Sequence, residues 1–362
     1  MTPPIAMLAL VTDAFGGRGG IAQYNRDLLS SLAGNQTISS IAILARYAPD
    51  QFVLPARIKQ MPPRPSRIAY ALCAFRIALR EPVDVVFCGH LHIAPLAVLI
   101  AYLCRAKLIV QMHGVESWTQ PTFLRRRATE AANLILCVSR CTRACVLSWA
   151  AIAPEKVVVL PNTVGDCFTP GDSSTLRSVW GLQGKRVLLS VGRLDTRERY
   201  KGHDLIIPLI PRLVSAGHDV VWVVVGEGDD LPRLKSLARD LGVMDRVRFT
   251  GALKQETLVD AYRMADLFVM PSTGEGFGIA FLEAMASGTP AIGLAVGGAL
   301  DALADGELGT AVAETEFESA LLRALAQPKP VENLPTVVRR RFGREPFAAR
   351  ALAAVHRLTE AA

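Results

Sequence analysis

No apolar run in this chain reaches the ~20 residues that a membrane-spanning helix requires. The longest, such as Ile93 to Leu103, reads as buried helix. Nor does a charged-then-apolar leader open the sequence. Ile5 to Val11 reads as a strand almost at once, so the expectation is a cytoplasmic protein. Cys-x-x-Cys is missing too. The seven cysteines, Cys73, Cys88, Cys104, Cys137, Cys141, Cys145 and Cys167, all lie in the first half. Cys137, Cys141 and Cys145 are four apart, which would stack them on one helix face, yet no His or acidic partners stand nearby at ligand spacing. They read as small buried thiols in a reducing compartment, and no metal site is expected. Aromatic residues make up only 6% of the chain and form no platform or recognition module, which argues against a nucleic-acid partner. Acidic residues are outnumbered, 33 against 40 Lys and Arg. Arg64, Arg67, Arg76 and Arg80 flank an apolar stretch, and Arg125-Arg-Arg127 follows Pro121-Thr-Phe-Leu124. Two readings stay open: a solvated basic face, or a patch that docks on anionic lipid and makes the protein peripheral on the inner face of the membrane.

What is present is a regular alternation. At 362 residues the chain has room for about two domains. Ile5–Val11, Ile38–Ala45, Val83–Cys88, Lys107–Met112, Leu134–Val138 and Val157–Leu160 read as strands. Ile21–Leu32, Arg67–Arg80, Pro95–Arg105 and Thr122–Ala132 between them carry helical apolar spacing. Turn formers at Phe168-Thr-Pro-Gly-Asp-Ser-Ser174 break the rhythm. A second series of strands follows: Val187–Val191, Val220–Val225, Val247–Thr250, Leu267–Met270, Pro290–Gly293 and Gly309–Val312. Its helices are expected near Asp204–Ala216, Asp230–Leu241, Gln255–Ala265 and Gly278–Ser287. The fold class is α/β, with two doubly wound Rossmann-like domains and a ligand cleft between them. The expected domains are 1–168 and 169–343, with an amphipathic helix over about 344–362 crossing back onto the first.

The chemistry concentrates in a few strand-end loops. Glu275-Gly-Phe-Gly-Ile-Ala-Phe-Leu-Glu283 follows the strand Leu267–Met270, with two carboxylates eight residues apart. A strand, a glycine loop and a helix aim backbone N–H groups at an anion. Glu275 would then sit beside a bound phosphate, suited to sugar hydroxyls, and Glu283 would lie two turns into the helix. Arg193 ends a strand and Lys201 opens the next helix, a fork donor and a point cation that together suit a diphosphate. Gly226-Glu-Gly228 permits close approach of a ligand or a tight turn. Gly251-Ala-Leu-Lys254 would line the same edge, as a base contact or an ordinary loop. In the first half, Phe15-Gly-Gly17-Arg-Gly19-Gly20 lies between a strand and a helix, where its N–H groups could cradle a phosphate. Gly17-x-Gly19-x-x-Ala22 matches the dinucleotide fingerprint, but the acid expected after the second strand is replaced by Arg46, which argues against NAD. His113, in Gln111-Met-His113-Gly114-Val-Glu116, can bond a sugar hydroxyl, stabilise a leaving phosphate, or cap a turn. His90 and His92 have metal-like spacing without an evident third ligand and read as wall or structural residues.

Taken in order, these residues resemble the family-4 retaining glycosyltransferases with the GT-B fold. The match runs through the N-terminal glycine loop, His113-Gly114, Cys137-Val-Ser139-Arg, Val159-Leu-Pro-Asn162, Val191-Gly-Arg193, Lys201-Gly202, Gly226-Glu-Gly228, Glu275 to Glu283, Gly288-Thr-Pro290 and Gly297-Gly298. The resemblance implies that Arg193 and Lys201 bind the donor diphosphate, Glu275 the donor-sugar hydroxyls and Glu283 the ribose. It implies that His113 faces the donor sugar and that the loop of Gly17 and Gly19 closes near phosphate and acceptor. Gly276, Phe277, Gly278 and Ile279 belong to the donor loop, with Gly226 and Gly228 beside it. No cofactor or metal is implied. The chain departs from the family at Asn162-Thr-Val-Gly-Asp166, one residue longer than the usual Asn-Gly-Val-Asp.

The expected activity is transfer of a hexose, from GDP-mannose or a UDP-hexose, to a glycan or polyprenyl-linked saccharide in cell-envelope polysaccharide synthesis. The rivals are a non-transferase GT-B enzyme such as a sugar-nucleotide epimerase, and an inactive nucleotide- or glycan-binding module. An epimerase needs a protein acid–base pair, which is not evident, and a dead module would be expected to lose Glu275, Arg193 or Lys201.

Overall fold

Val220-Val-Trp-Val-Val-Val225 contains no charged residue and is buried along its whole length. A strand apolar on both faces belongs in the middle of a parallel sheet covered by helices on each side. The computed structural model, which describes residues 4–48, 52–327 and 333–360, builds two such sheets. The last two residues of the helix expected over about 344–362 therefore lie outside the described residues. The chain divides into two compact units, residues 1–163 with 344–362, and residues 164–343.

Among the described residues the first unit holds seven strands: β1 (Ile5–Val11), β2 (Ile38–Ala45), β3 (Ile58–Gln60), β4 (Val85–Cys88), β5 (Lys107–Met112), β6 (Leu134–Cys137) and β7 (Val157–Val159). They pair in parallel in the order β3-β2-β1-β4-β5-β6-β7. Helices α1 (Gly20–Ala33), α2 (Arg67–Ala78), α3 (Ala94–Cys104), α4 (Phe123–Glu130) and α5 (Arg140–Trp149) connect them. The C-terminal helix Arg344–Glu360 packs on α1, with the Phe347 ring edge-on to Tyr24 at 5.9 Å. The edge strand β3 is absent from the sequence reading, because Ile-Lys-Gln carries no apolar run or alternation to mark it.

Cys137 closes β6, and Ser139 then caps α5 by accepting from the Thr142 N–H at 3.1 Å. The expected stack of three cysteines on one helix face is therefore reduced to Cys141 and Cys145. All seven cysteines are free thiols, but only Cys88 and Cys137 are fully buried, and Cys167 is exposed.

The second unit holds β8 (Arg186–Val191), β9 (Val220–Val225), β10 (Val247–Gly251), β11 (Leu267–Met270), β12 (Ala291–Leu294) and β13 (Thr310–Val312). Their order is β10-β9-β8-β11-β12-β13, again all parallel. The helix expected over 204–216 is broken into His203–Ile206, a 3₁₀ turn Ile207–Leu209, and Ile210–Ser215. Pro208 and Pro211 account for this, since each removes a backbone donor and crowds the preceding turn.

One buried polar chain ties the centre of this sheet together. The Trp222 indole N–H donates to Ser190 Oγ at 2.9 Å, and Ser190 donates to the Val269 carbonyl at 2.6 Å. Three adjacent strands, β9, β8 and β11, are thus linked through a single hydroxyl. Ser190→Ala leaves the indole N–H unpaired in a dry core, and the expected cost is about 1–3 kcal/mol. Urea unfolding followed by tryptophan fluorescence checks it, and an unchanged midpoint would show that the chain contributes no stability.

Candidate functional site

Strand order reverses once in each sheet, between β1 and β4 and between β8 and β11. Loops leaving the carboxyl ends of such a pair diverge to opposite faces and open a crevice, where ligands of open parallel sheets bind. In the second unit those loops begin at Gly192-Arg193 and at Pro271-Ser272. The sequence-predicted Arg193 and Glu275 are thereby brought to neighbouring strand ends.

The backbone around Arg193 is held from β9. Gly192 donates to the Val225 carbonyl at 3.0 Å, Leu194 to Glu227 at 2.9 Å, and Asp230 donates back to Leu194 at 2.8 Å. Gly226 has a φ of +143°, and a Cβ there would stand 1.8 Å from the Gly192 carbonyl oxygen. A Cβ on Gly228 would lie 2.0 Å from the Leu194 carbonyl oxygen. The close approach that these glycines permit is to the strand-end backbone that carries Arg193.

Beyond Arg193 the chain forms a short 3₁₀ run, Thr196–Lys201, capped by Asp195. Lys201 closes this run and does not open the following helix as expected. The helix begins at His203, after Gly202 turns the chain in the left-handed region. The run is pinned at both ends: Thr196 bonds Asp229 through its N–H and hydroxyl, and the Tyr200 carbonyl accepts from Thr273 N–H at 2.7 Å. Arg193 and Lys201 converge on one carboxylate, Glu198. Arg193 meets Oε1, and Lys201 Nζ lies 3.0 Å from Oε2. The guanidinium is 73% exposed, while the Lys201 side chain is 16% exposed.

The loop after β11 places Glu275 half-buried. Gly298 N–H donates to the Glu275 carbonyl at 2.8 Å, and a Cβ at 298 would stand 2.1 Å from the Gly276 carbonyl oxygen. Burial raises the Glu275 carboxyl above its ordinary value, while Lys201 and the Phe277 and Gly276 N–H groups pull it down. Gly278 caps the helix Ile279–Ala286 in the left-handed region. Glu283 is therefore the fifth helical residue, little more than one turn in, not two. It is buried, and its Oε2 accepts from the Tyr262 hydroxyl at 2.7 Å. Phe277 is buried against Phe342, which leaves its backbone to face the loop, and Ile279 is half-buried.

In the first unit the β1–α1 loop is organised from α1. Arg26 donates to the Ala14 and Gly17 carbonyls at 3.0 and 2.7 Å, and Asn25 Nδ2 to the Asp13 carbonyl at 2.8 Å. Gly17 N–H is itself bonded to Ala14, so it is engaged within the loop, and Gly19 precedes the first turn of α1. His113, two residues from the Gln111 of β5, sets its Nε2 3.0 Å from the Gly89 carbonyl. Only a protonated Nε2 can make that contact, so Nδ1 is the acceptor. Burial lowers the His113 pKa, and Glu116 opposes this while accepting from the His113 backbone N–H. His90 is pushed down to about 4, chiefly by burial. Its ring lies 4.6 Å from that of His92 and 6.3 Å from that of His113. Among the described residues no group of three His, Cys, Asp or Glu side chains is placed to hold a metal ion.

From sequence, the charged segment between Leu194 and Lys201 (Asp195, Arg197, Glu198 and Arg199) reads as an added acceptor or phosphate contact, whereas the structure sets Glu198 against the two cations; Tyr262, Asn25 and Asp13 carry no such signal. Tyr262 pairs with a residue on another helix, and nothing in its own neighbourhood marks it.

Two family models match the chain. Residues 172–339 match "Glycosyl transferases group 1" and residues 18–165 match "Glycosyltransferase Family 4". The chain belongs to glycosyltransferase family 4. It is 33% identical over 257 residues to a GDP-mannose-dependent alpha-(1-6)-phosphatidylinositol monomannoside mannosyltransferase of Mycolicibacterium smegmatis, covering 65% of this chain and 66% of that one. The Mycobacterium tuberculosis protein of the same description is 29% identical over 85% of each chain. A D-inositol 3-phosphate glycosyltransferase of Mycobacteroides abscessus is 39% identical over 44% of this chain, and the match spans 36% of that protein. Among solved structures, Anabaena Alr3699/HepE in complex with UDP superposes with a TM-score of 0.78 at 17% identity, over 97% of this chain and all of that one. Sucrose-phosphate synthase from Thermosynechococcus elongatus gives 0.78 at 21% identity, over 98% of this chain and all of that one. These likenesses establish the GT-B fold of two Rossmann-like halves.

The raised Glu275 pKa has a stability consequence. The folded state holds this proton more tightly than the unfolded chain, so stability from this group is greatest below the ordinary glutamate value of 4.5 and falls as pH rises through the folded pKa. Glu275→Gln is therefore expected to unfold at higher urea than wild type at pH 7, with the gain vanishing below about pH 4. Equal midpoints at pH 7 would show that the carboxylate is not held at a cost.

Proposed function

We propose that this chain transfers a hexose from a nucleoside-diphosphate sugar to a hydroxyl of a glycan or polyprenyl-linked saccharide, with retention at the anomeric carbon, in the cytoplasm and in the service of cell-envelope polysaccharide synthesis. The observation that carries this reading is the convergence of Arg193 and Lys201 at the end of β8, beside Glu275 at the end of β11. In this reading the two cations take the donor diphosphate, Glu275 orients the sugar hydroxyls and Glu283, held by Tyr262, takes the ribose. His113, in the first unit, presents Nδ1 as an acceptor for a hydroxyl. The bond from the anomeric carbon to the phosphate oxygen breaks, the acceptor oxygen bonds that carbon, and the acceptor proton passes to the departing diphosphate. Stabilising the charge on that leaving group is the main catalytic contribution, and the cations supply it without a divalent ion. The names of the mycobacterial relatives favour GDP-mannose as donor, and a UDP-hexose is the alternative.

Calorimetry with GDP and UDP in the presence of a chelator tests the diphosphate assignment. Lys201→Ala is expected to cost about 2–4 kcal/mol of affinity, and Arg193→Ala less, because a largely exposed guanidinium is screened by water. Unchanged affinity in both variants would remove the assignment.

The acceptor side of the proposal extends to an anionic membrane surface. Helices α2, α3 and α4 lie side by side and turn Ile68, Leu72, Tyr102, Phe123 and Leu124 outward, with Tyr102 87% exposed. Arg67 and Arg76 are exposed on α2 and Arg80 just past its end, whereas Arg126 and Arg127 are paired with Glu130. Apolar anchors ringed by arginine suit the interface of an anionic bilayer. No helix among the described residues is long and apolar enough to cross a membrane. Tyr102→Glu combined with Phe123→Glu is expected to abolish co-sedimentation with vesicles containing an anionic phospholipid and to leave GDP binding intact. Co-sedimentation equal to wild type would favour a soluble acceptor.

A further inference from the structure

We propose that Glu198 is a built-in counter-anion that competes with nucleoside diphosphate for Arg193 and Lys201 and speeds its departure. The proposal rests on the reading of those two cations as the diphosphate site. One carboxylate spans both of them, Arg193 at Oε1 and Lys201 at 3.0 Å from Oε2. Three neighbouring aspartates are engaged elsewhere, Asp195 with Arg197, Asp229 with Thr196, and Asp230 with Arg199 and Arg233, while Glu275 also feels the charge of Lys201. Glu198 is also the one residue of the Thr196–Lys201 run with non-helical backbone, at φ −113° and ψ 25°. Its side chain is 12% exposed, so water screens its contact with Lys201 only weakly.

A phosphate oxygen and the Glu198 carboxylate cannot hold the same ammonium donors at full strength. When diphosphate arrives, Glu198 must give up part of its contacts. The backbone on either side is fixed, by Asp229 at Thr196 and by Thr273 at Tyr200, so the carboxylate can leave only by rotating its own side chain. It stays within a side chain's length of the cations and remains a competitor at high local concentration. Once the proton taken from the acceptor is lost to solvent, the free nucleoside diphosphate carries one more negative charge than the sugar nucleotide. Repulsion from Glu198 therefore falls harder on product than on donor, which favours release after each turnover.

The test compares GDP and UDP binding, and product inhibition of transfer, in wild type, Glu198→Gln and Glu198→Asp. Glu198→Gln keeps the shape and removes the charge. It is expected to bind nucleoside diphosphate about tenfold more tightly, with the donor KM falling less than the product inhibition constant. The gain should shrink as salt is raised and disappear when Lys201→Ala is added. Glu198→Asp, which keeps the charge on a shorter arm, should fall between the two. Unchanged or weaker binding in Glu198→Gln would overturn the proposal, since Glu198 would then serve only to hold Lys201 in place. The two readings fail separately. If Lys201→Ala and Arg193→Ala both leave affinity unchanged, the diphosphate site itself is wrong. If Lys201→Ala weakens binding while Glu198→Gln does not tighten it, only the counter-anion role is wrong.

Discussion

The second unit depends on the pairing of β8 with β11, where Leu189 lies opposite Phe268 and the order of strands reverses. Chain segments 79 residues apart, Ser190 and Val269, are locked there by a hydroxyl-to-carbonyl bond. Helices on each side of the sheet must then leave in opposite directions, and the gap between their loops is where ligands of open parallel sheets bind. Arg193 and Glu275 stand at that gap because they follow those two strands. The glycines around them are read in the same terms. Gly226 admits the β8 extension, and Gly298 admits the Glu275 loop, so the geometry of two charged side chains is set by the absence of side chains behind them.

The charges at this gap are kept in tension, not in balance. Burial disfavours the ionised form of Glu275, and Lys201 only partly offsets it. Two cations share one carboxylate, and Tyr200 is pushed up by burial and by Glu198 and Glu275. A protein selected for stability alone would not collect these groups here. Such strain is expected where a ligand's own charge completes the set.

Much of the fold was legible because parallel strands covered on both sides must be apolar throughout. Val220–Val225 and Ile5–Val11 could be read to the residue for that reason, and Ile58–Gln60 could not, since an edge strand of three residues needs no such run. Pro208 and Pro211 overrode the helical spacing of 204–216 through backbone chemistry that a periodicity ignores. At the site, Arg193 and Glu275 were readable as charged residues at strand ends. The exact seat of Lys201 and the depth of Glu283 were not, because both hang on where Gly202 and Gly278 turn the chain. The pairing of Glu198 and the presence of Tyr262 escaped for a different reason. Their meaning lies in partners across space, and a sequence shows such partners only after it has folded.

The return of the C-terminal helix to α1 bears on the order in which the protein can be made. The second unit is one unbroken stretch of chain, inserted within the first. The first unit buries Phe347, Ala351 and Val355, and it sets Phe347 against Tyr24 and His356 beside Thr37. During synthesis, then, the seven strands of the first sheet emerge early but lack the helix that covers part of α1. The later half of the chain can close its own core while the earlier half still waits, with an apolar flank of α1 uncovered until the helix Arg344–Glu360 has been made.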